Sequence, residues 1–158
     1  MSAWDVAACV ACRANRGELP APGGVLYEGD GWRLEHTFEP IPLAGWLVLK
    51  SLRHVETFAD LTRDEAAAFG PLTRRVVAAM EDVLAPVKVY LSLYAEGCAH
   101  LHVHLIPRYE ETPPDRRGPG IFAYLHEAST QGRKVADVDA AERAALAIRA
   151  HLLARPED

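Results

Sequence analysis

The run His100-Leu101-His102-Val103-His104-Leu105-Ile106 sets three imidazoles at alternate positions, and a Cys9-Val10-Ala11-Cys12 pair stands near the N-terminus. Each pattern suits a definite chemistry. An unprotonated imidazole is a nucleophile and base near neutral pH, and imidazole and thiolate both ligate transition metals. On an extended chain alternate side chains share a face. The histidines would then line one surface about 6.5 Å apart, while Leu101, Val103 and Leu105 enter a core. Three rings spaced along one strand do not readily converge on a tetrahedral zinc with bonds of about 2.0–2.1 Å, which favours a division of labour among them. Spacing alone does not rank them. The bland alternative is a solvent-facing strand, a setting in which histidine is not favoured.

The cysteine pair reads as half of a metal site. A redox pair would need a βαβ context that the flanking residues lack, and two unrelated buried thiols are the remaining alternative. Cys98 has no partner by spacing and reads as a small core residue. Trp32 and Trp46 read as core, and His36 and His126 as surface or loop polar groups. Arg116 and Arg117 fall in a Pro- and Gly-rich stretch, a solvated loop or one that closes over an anion.

The histidine run needs a sheet beneath it. Val25-Leu26-Tyr27-Glu28 and Trp32-Arg33-Leu34-Glu35-His36 alternate around Gly29-Asp30-Gly31 and predict a β-hairpin, which Pro40 and Pro42 end. Gly45-Trp46-Leu47-Val48-Leu49-Lys50 reads as a central strand. Thr62 with Glu65 three residues on predicts a capped helix to about Leu84, with a buried stripe of Phe69, Leu72, Val76, Val77, Met80 and Leu84. Gly70-Pro71 would kink or split it. Residues 87–94 form a further strand, and Ala95-Glu96-Gly97-Cys98-Ala99 turns the chain antiparallel into the histidine strand. Residues 110–120 read as a long loop, residues 138–153 as a closing helix capped by Asp137 or Asp139, and residues 1–24 as an irregular arm.

Composition bounds the function. A chain of 158 residues, 49% hydrophobic, makes one domain with a sizeable core. A net charge of -5 argues against coating polymeric nucleic acid, though not against a small anionic ligand. No apolar run reaches membrane-spanning length, and the Ala-rich start lacks the basic region that precedes a signal-peptide core. Three cysteines, two of them in a Cys-x-x-Cys, suit a metal site in a reducing compartment. We expect a cytoplasmic protein with no membrane partner.

The alternating run followed by Pro107-Arg108 resembles the signature of the histidine triad (HIT) superfamily of nucleotide hydrolases and transferases. Pro107-Arg108 is common in its dinucleotide-cleaving branch. Leu47-Val48-Leu49 leading to Arg53-His54-Val55 and a long helix is similar to the same family, so the resemblance spans residues 25–108. It implies an α+β fold, a HIT-like single domain over residues 25–158 behind an arm of residues 1–24. The expected sheet has about five antiparallel strands, accompanied by a long helix and a C-terminal helix.

The resemblance also implies chemistry. The middle histidine of the triad is the family's nucleophile, which carries over to His102. Attack on an α-phosphorus gives a phosphoramidate that water or another acceptor then displaces. This requires the second ring nitrogen of His102 to donate to a carbonyl. His104, on the same face, is placed to donate to a phosphate oxygen or to the leaving group. Amides of Gly97, Cys98 and Ala99 are candidates for a phosphate cradle. Family members with an N-terminal Cys-x-x-Cys bind zinc through the two cysteines, the basic-segment histidine and the first triad histidine, which here are Cys9, Cys12, His54 and His100. A closed site of that kind is structural. Expected substrates are diadenosine polyphosphates or nucleoside phosphoramidates, and a homodimer is implied.

Three departures stand out. Many relatives carry histidine where this chain has Trp46, and an acidic or Asn ribose-binding residue near Phe38 or Glu39, for which Glu39 is the candidate. Before the triad, the family's Gly-Gln-Ser/Thr stretch is replaced by Ala95-Glu96-Gly97-Cys98-Ala99. Nucleotidyl transfer or phosphorolysis on the same scaffold, a zinc-stabilised nucleotide-binding protein with little catalysis, and catalytic zinc are the alternatives.

Overall fold

The computed structural model describes residues 7–131 and 136–156. Residues 1–6 of the expected arm lie outside that range. Five strands form one antiparallel sheet in the order β1-β2-β3-β5-β4: β1 (Val25–Gly29), β2 (Trp32–His36), β3 (Leu47–Ser51), β4 (Lys88–Ser92) and β5 (His102–Arg108). The sheet is the α+β architecture expected, and no helix among the described residues is long and apolar enough to cross a membrane.

Turn chemistry sets the first hairpin. Gly29 pairs with Trp32. Both residues between them, Asp30 (φ 53°) and Gly31 (φ 82°), take the positive φ that a two-residue hairpin turn matching the strand twist demands. The long helix α2 (Arg63–Leu84) begins with a capping box in which Thr62 and Glu65 exchange side chain-to-backbone bonds. It runs through Pro71 unbroken. Pro71 and Ala67, whose carbonyl loses a donor there, are both exposed, so the orphaned group is open to water. Leu72, Val76 and Met80 are buried beneath α2, and Phe69, Val77 and Leu84 pack at the margin. The closing helix α4 (Val138–Ala154), capped by Asp137, adds Ala145, Ile148 and Leu152. Against these helices the sheet sets Leu34, Leu47, Leu49 and Leu105, joined by Leu101 just before β5, and this face holds the main core.

The opposite face carries the side chains of Glu35, Val48, Lys50, His102 and His104, and two helices that the sequence did not announce flank it. Residues 10–15, read as irregular, form α1 (Val10–Asn15), with Cys9 as N-cap accepting from the Cys12 amide. Beyond the expected loop, which folds into two 3₁₀ turns, α3 (Phe122–Gln131) follows. Its Phe122 and Leu125 pack with Trp46, Ile106 and Ile121 in a second apolar cluster.

Candidate active site and metal centre

The three histidines do not share one face of a strand. β5 starts at His102, and His100 lies in the bend before it, fully buried. The amide of Leu101 donates to Val55 O (2.7 Å) and the amide of Ser51 to Leu101 O (3.2 Å), which ties this bend to the end of β3 and turns the His100 ring away from the cleft. There His100 Nδ1 lies 3.6 Å from Cys9 Sγ and 3.3 Å from Cys12 Sγ, and His54 Nδ1 lies 3.3 Å from Cys12 Sγ. The four candidate ligand atoms all fall within 4.8 Å of one another. α1 makes this possible, since a single helical turn brings Cys9 and Cys12 to the same side.

The cluster can hold a metal ion. His100 Nε2 donates to Ser51 O at 2.8 Å, so the neutral ring keeps its Nδ1 lone pair for the cluster. His54 Nε2 and Glu56 Oε1 are buried 3.6 Å apart with no hydrogen-bond partner among the described residues. A cation on His54 Nδ1 would polarise that ring N–H toward the carboxylate, giving both orphaned atoms a role. Burial, reinforced by Cys9 alongside, pushes the Cys12 thiol up to about 11. A divalent cation reverses that logic by stabilising thiolate directly. Cys98 is half-buried rather than core, its Sγ 3.9 Å from Cys9 Sγ.

His102 and His104 point to the cleft with ring centroids 5.0 Å apart. His102 Nδ1 donates to His100 O at 2.7 Å. A carbonyl only accepts, so in the neutral ring Nε2 carries a free lone pair. His104 Nδ1 accepts the indole N–H of Trp46 at 2.9 Å. Indole only donates, so the neutral His104 ring carries its proton on Nε2. Burial first, then His102, lowers the His104 pKa to about 3.

Cavities open on both sides of this pair. One, of about 150 Å³, lies between α1 and the sheet and is walled by Val10, Ala11, Ala14 and Val48. The other, wider, at about 570 Å³, lies toward α3 and the loop of residues 94–98. A family model of the HIT domain matches residues 19–111. The chain belongs to the histidine triad family.

Solved HIT structures share its fold. A zinc-bound histidine triad family protein from Mycobacterium smegmatis superposes with a TM-score of 0.67 at 18% identity, over 96% of this chain and 98% of that one. A hypothetical histidine triad nucleotide-binding protein from Sulfolobus tokodaii gives 0.67 at 20% identity, over 93% of each chain. Plasmodium falciparum diadenosine triphosphate hydrolase gives 0.58 at 15% identity, over 83% of this chain and 77% of that one. No curated protein matches the chain by sequence.

Within this HIT domain the other expected site residues divide. Gly97 and Cys98 line the wider cleft, and Ala99 lines a smaller hollow beside Cys9 and His54. Glu39 is exposed and reaches none of these cavities. The carboxylate that does reach the α1 cavity is Glu35, 3% exposed, ion-paired to Lys50 and to Arg33 (2.7 Å). Burial pushes the Lys50 ammonium down in pKa, with Glu35 opposing. Lys50 pairs in register with His102. A lysine two residues from Val48 in an apolar strand points the same way as Val48, and that alternation was the signal available for it. His36 is no surface group: it is 1% exposed, accepts the Gly45 amide on Nε2 (2.9 Å) and bonds Thr37 O through Nδ1 (2.8 Å). Arg116 is spent on Glu127 at 2.5 Å, and Arg117 on Thr112 O at 3.0 Å.

Proposed function

We propose that this HIT-family protein is a nucleotide hydrolase that takes a nucleotidyl group onto His102 Nε2 and releases it to water. The observation that carries this is the 2.7 Å bond from His102 Nδ1 to His100 O, which reserves Nε2 as the in-line nucleophile. His104 Nε2–H serves as the donor to a phosphoryl oxygen, where preorganised donors have most effect on charge in transfer. Amides near Gly97 and Cys98 offer further donors at the mouth of the wider cleft. Substrates are dinucleoside polyphosphates such as diadenosine polyphosphates, or nucleoside phosphoramidates. A planar base suits the apolar α1 cavity, and the leaving half suits the wider cleft. The structural similarity to a diadenosine triphosphate hydrolase agrees with this class.

Cys9, Cys12, His54 and His100 would hold a structural zinc. Four protein ligands leave no position for substrate, so the metal would anchor α1 beside the cleft and supply no step of the reaction. The homodimer forms through the edge of the sheet at β4, where Val87 and Leu91 are each 48% exposed and Leu93 is 37% exposed, since an open apolar edge is a ready pairing surface. The cytoplasm, which keeps thiols reduced, is the expected compartment.

Release of nucleoside monophosphate from diadenosine triphosphate, with a nucleotidyl adduct on His102 trapped by mass spectrometry, tests the reading. His102→Ala is expected to lose turnover by at least about 10³-fold. Unchanged turnover in that variant would sink it. The buried Trp46 beside His104 favours a second reading, a nucleotide-binding protein with little catalysis, and tight binding without product or adduct would select it.

A further inference from the structure

We infer that Trp46 holds His104 as a neutral donor unable to deliver a proton to the leaving group. The site therefore prefers phosphoanhydrides, whose leaving group departs as an anion, over phosphoramidates. The inference rests on the hydrolase reading above and narrows its substrate class.

An indole offers one N–H and no acceptor. At 2.9 Å that N–H occupies the Nδ1 lone pair of His104, and a second proton on the ring would set N–H against N–H. Trp46 has no room to turn aside. It is fully buried, packs against Ile106 and Ile121, and meets Phe122 edge-on at 5.4 Å. Its backbone is fixed too, with its carbonyl accepting from the Thr37 amide at 2.9 Å. Gly45 before it sits at φ 84°, where a Cβ would lie 2.6 Å from Leu84.

No other group among the described residues is placed to replace the missing acid. Next to it on β5 stands His102, whose Nδ1–H is held by His100 O and whose Nε2 is committed to phosphorus. On β2 and β3, Glu35 and Lys50 are spent on each other, and His36 is held neutral by burial. From α3 come Phe122 and Leu125, which carry no proton, the Cys98 thiol lies 3.9 Å from Cys9 Sγ on the cluster side, and Tyr94 and Glu96 belong to the exposed rim.

The electron count separates the two substrate classes. His102 Nε2 forms a bond to phosphorus with its lone pair, and the bond to the leaving group breaks with its own pair. In a phosphoanhydride that pair stays on a phosphate oxygen as a stable anion, and no proton is required. In a phosphoramidate it would stay on nitrogen, and the amine departs only once that nitrogen is protonated. Neutral His104 can donate a hydrogen bond, but giving up Nε2–H would leave an imidazolate. Water then adds at phosphorus, His102 leaves as the neutral ring, and the proton from water passes to solvent.

Two measurements test this. Nitrogen-15 NMR of the wild-type protein is expected to show His104 protonated on Nε2 and bare on Nδ1 from pH 5 to 8; an imidazolium or an Nδ1–H in that range would overturn the lock. Kinetically, wild type should favour diadenosine triphosphate over adenosine 5′-phosphoramidate by about 100-fold or more in kcat/KM, the scale of a general-acid contribution. Trp46→His, which can accept as well as donate, should lower that ratio at least tenfold. Equal cleavage by the wild type, or an unchanged ratio in Trp46→His, would overturn the preference. Turnover of neither substrate would reject the hydrolase reading and the preference with it, while the NMR result still decides the state of His104.

Discussion

The Cys9–Cys12–His54–His100 cluster and the His102–His104 cleft meet on one short stretch of chain, yet they use imidazole in opposite ways. In the cluster Nδ1 faces inward, and the outer nitrogen meets a carbonyl at Ser51 or lies near the Glu56 carboxylate. In the cleft Nδ1 is the occupied nitrogen, bonded to a carbonyl at His102 and to an indole at His104. Nε2 is then a lone pair on one ring and a donor on the other. The partner of the other nitrogen, more than the histidine itself, sets what each ring can do. α1 belongs to both regions, with Cys12 facing the cluster and Ala11 and Ala14 walling the cleft.

Removing the metal side should have the largest effect. α1 has six residues, well short of the length at which a helix holds by itself in water, so its place depends on its contacts, the cluster together with the bonds from Asn15 to Ser51 O and Leu52 O. The Cys9→Ser, Cys12→Ser double variant is expected to lose about one equivalent of zinc by elemental analysis. With the proposed zinc bound, the folding free energy forfeited for the arm would be on the order of 10 kcal/mol. Hydrogen exchange should rise across α1 while the sheet stays protected. Stoichiometric zinc retained in the variant would break the division between the two regions.

The charged floor of the cleft comes next. Lys50→Met leaves Glu35 buried with Arg33 alone, and breaking a buried pair from one side costs about 3 kcal/mol. Adding Glu35→Gln should recover most of that loss in thermal unfolding. A single-variant cost below about 1 kcal/mol would mean that the pair is solvated like a surface bridge.

The split between the regions was only partly legible in the sequence. Hairpin, capping box and helical stripe were readable because each depends on residues close in sequence: Asp30-Gly31, Thr62 with Glu65, and Leu72 with Val76 and Met80. The spacing of the triad was readable too, but the turning-out of His100 was not. It depends on Ser51 and Val55, which lie far back along the chain. The same holds for the neutral His36, fixed by the amide of Gly45, and for Lys50, whose burial follows from Glu35 on the neighbouring strand. α1 is too short to give a periodic signal, and Pro119 and Gly120 obscured the start of α3. Glu39 was a candidate through resemblance to a family position, and the carboxylate that lines the α1 cavity is Glu35.

The smallest expected effect separates the cleft by pH. Burial lowers the pKa of His104 to about 3 and that of His36 below its ordinary 6.5. A histidine whose folded pKa is depressed binds fewer protons folded than unfolded. Its contribution is therefore intact above pH 6.5 and is lost as pH falls below that value. For His104 the loss approaches about 1.4 kcal/mol per pH unit, or about 2 kcal/mol between pH 6.5 and 5. Glu65, held at about 2 by Arg53 and the Thr62 amide, also loses its contribution on acidification, but only below its ordinary 4.5. Urea titrations between pH 7 and 5 consequently read the histidines. His104→Asn should flatten that slope. An equal slope in His104→Asn would mean that His104 is protonated in the folded cleft, and the contrast between a neutral donor and a free nucleophile would fail with it.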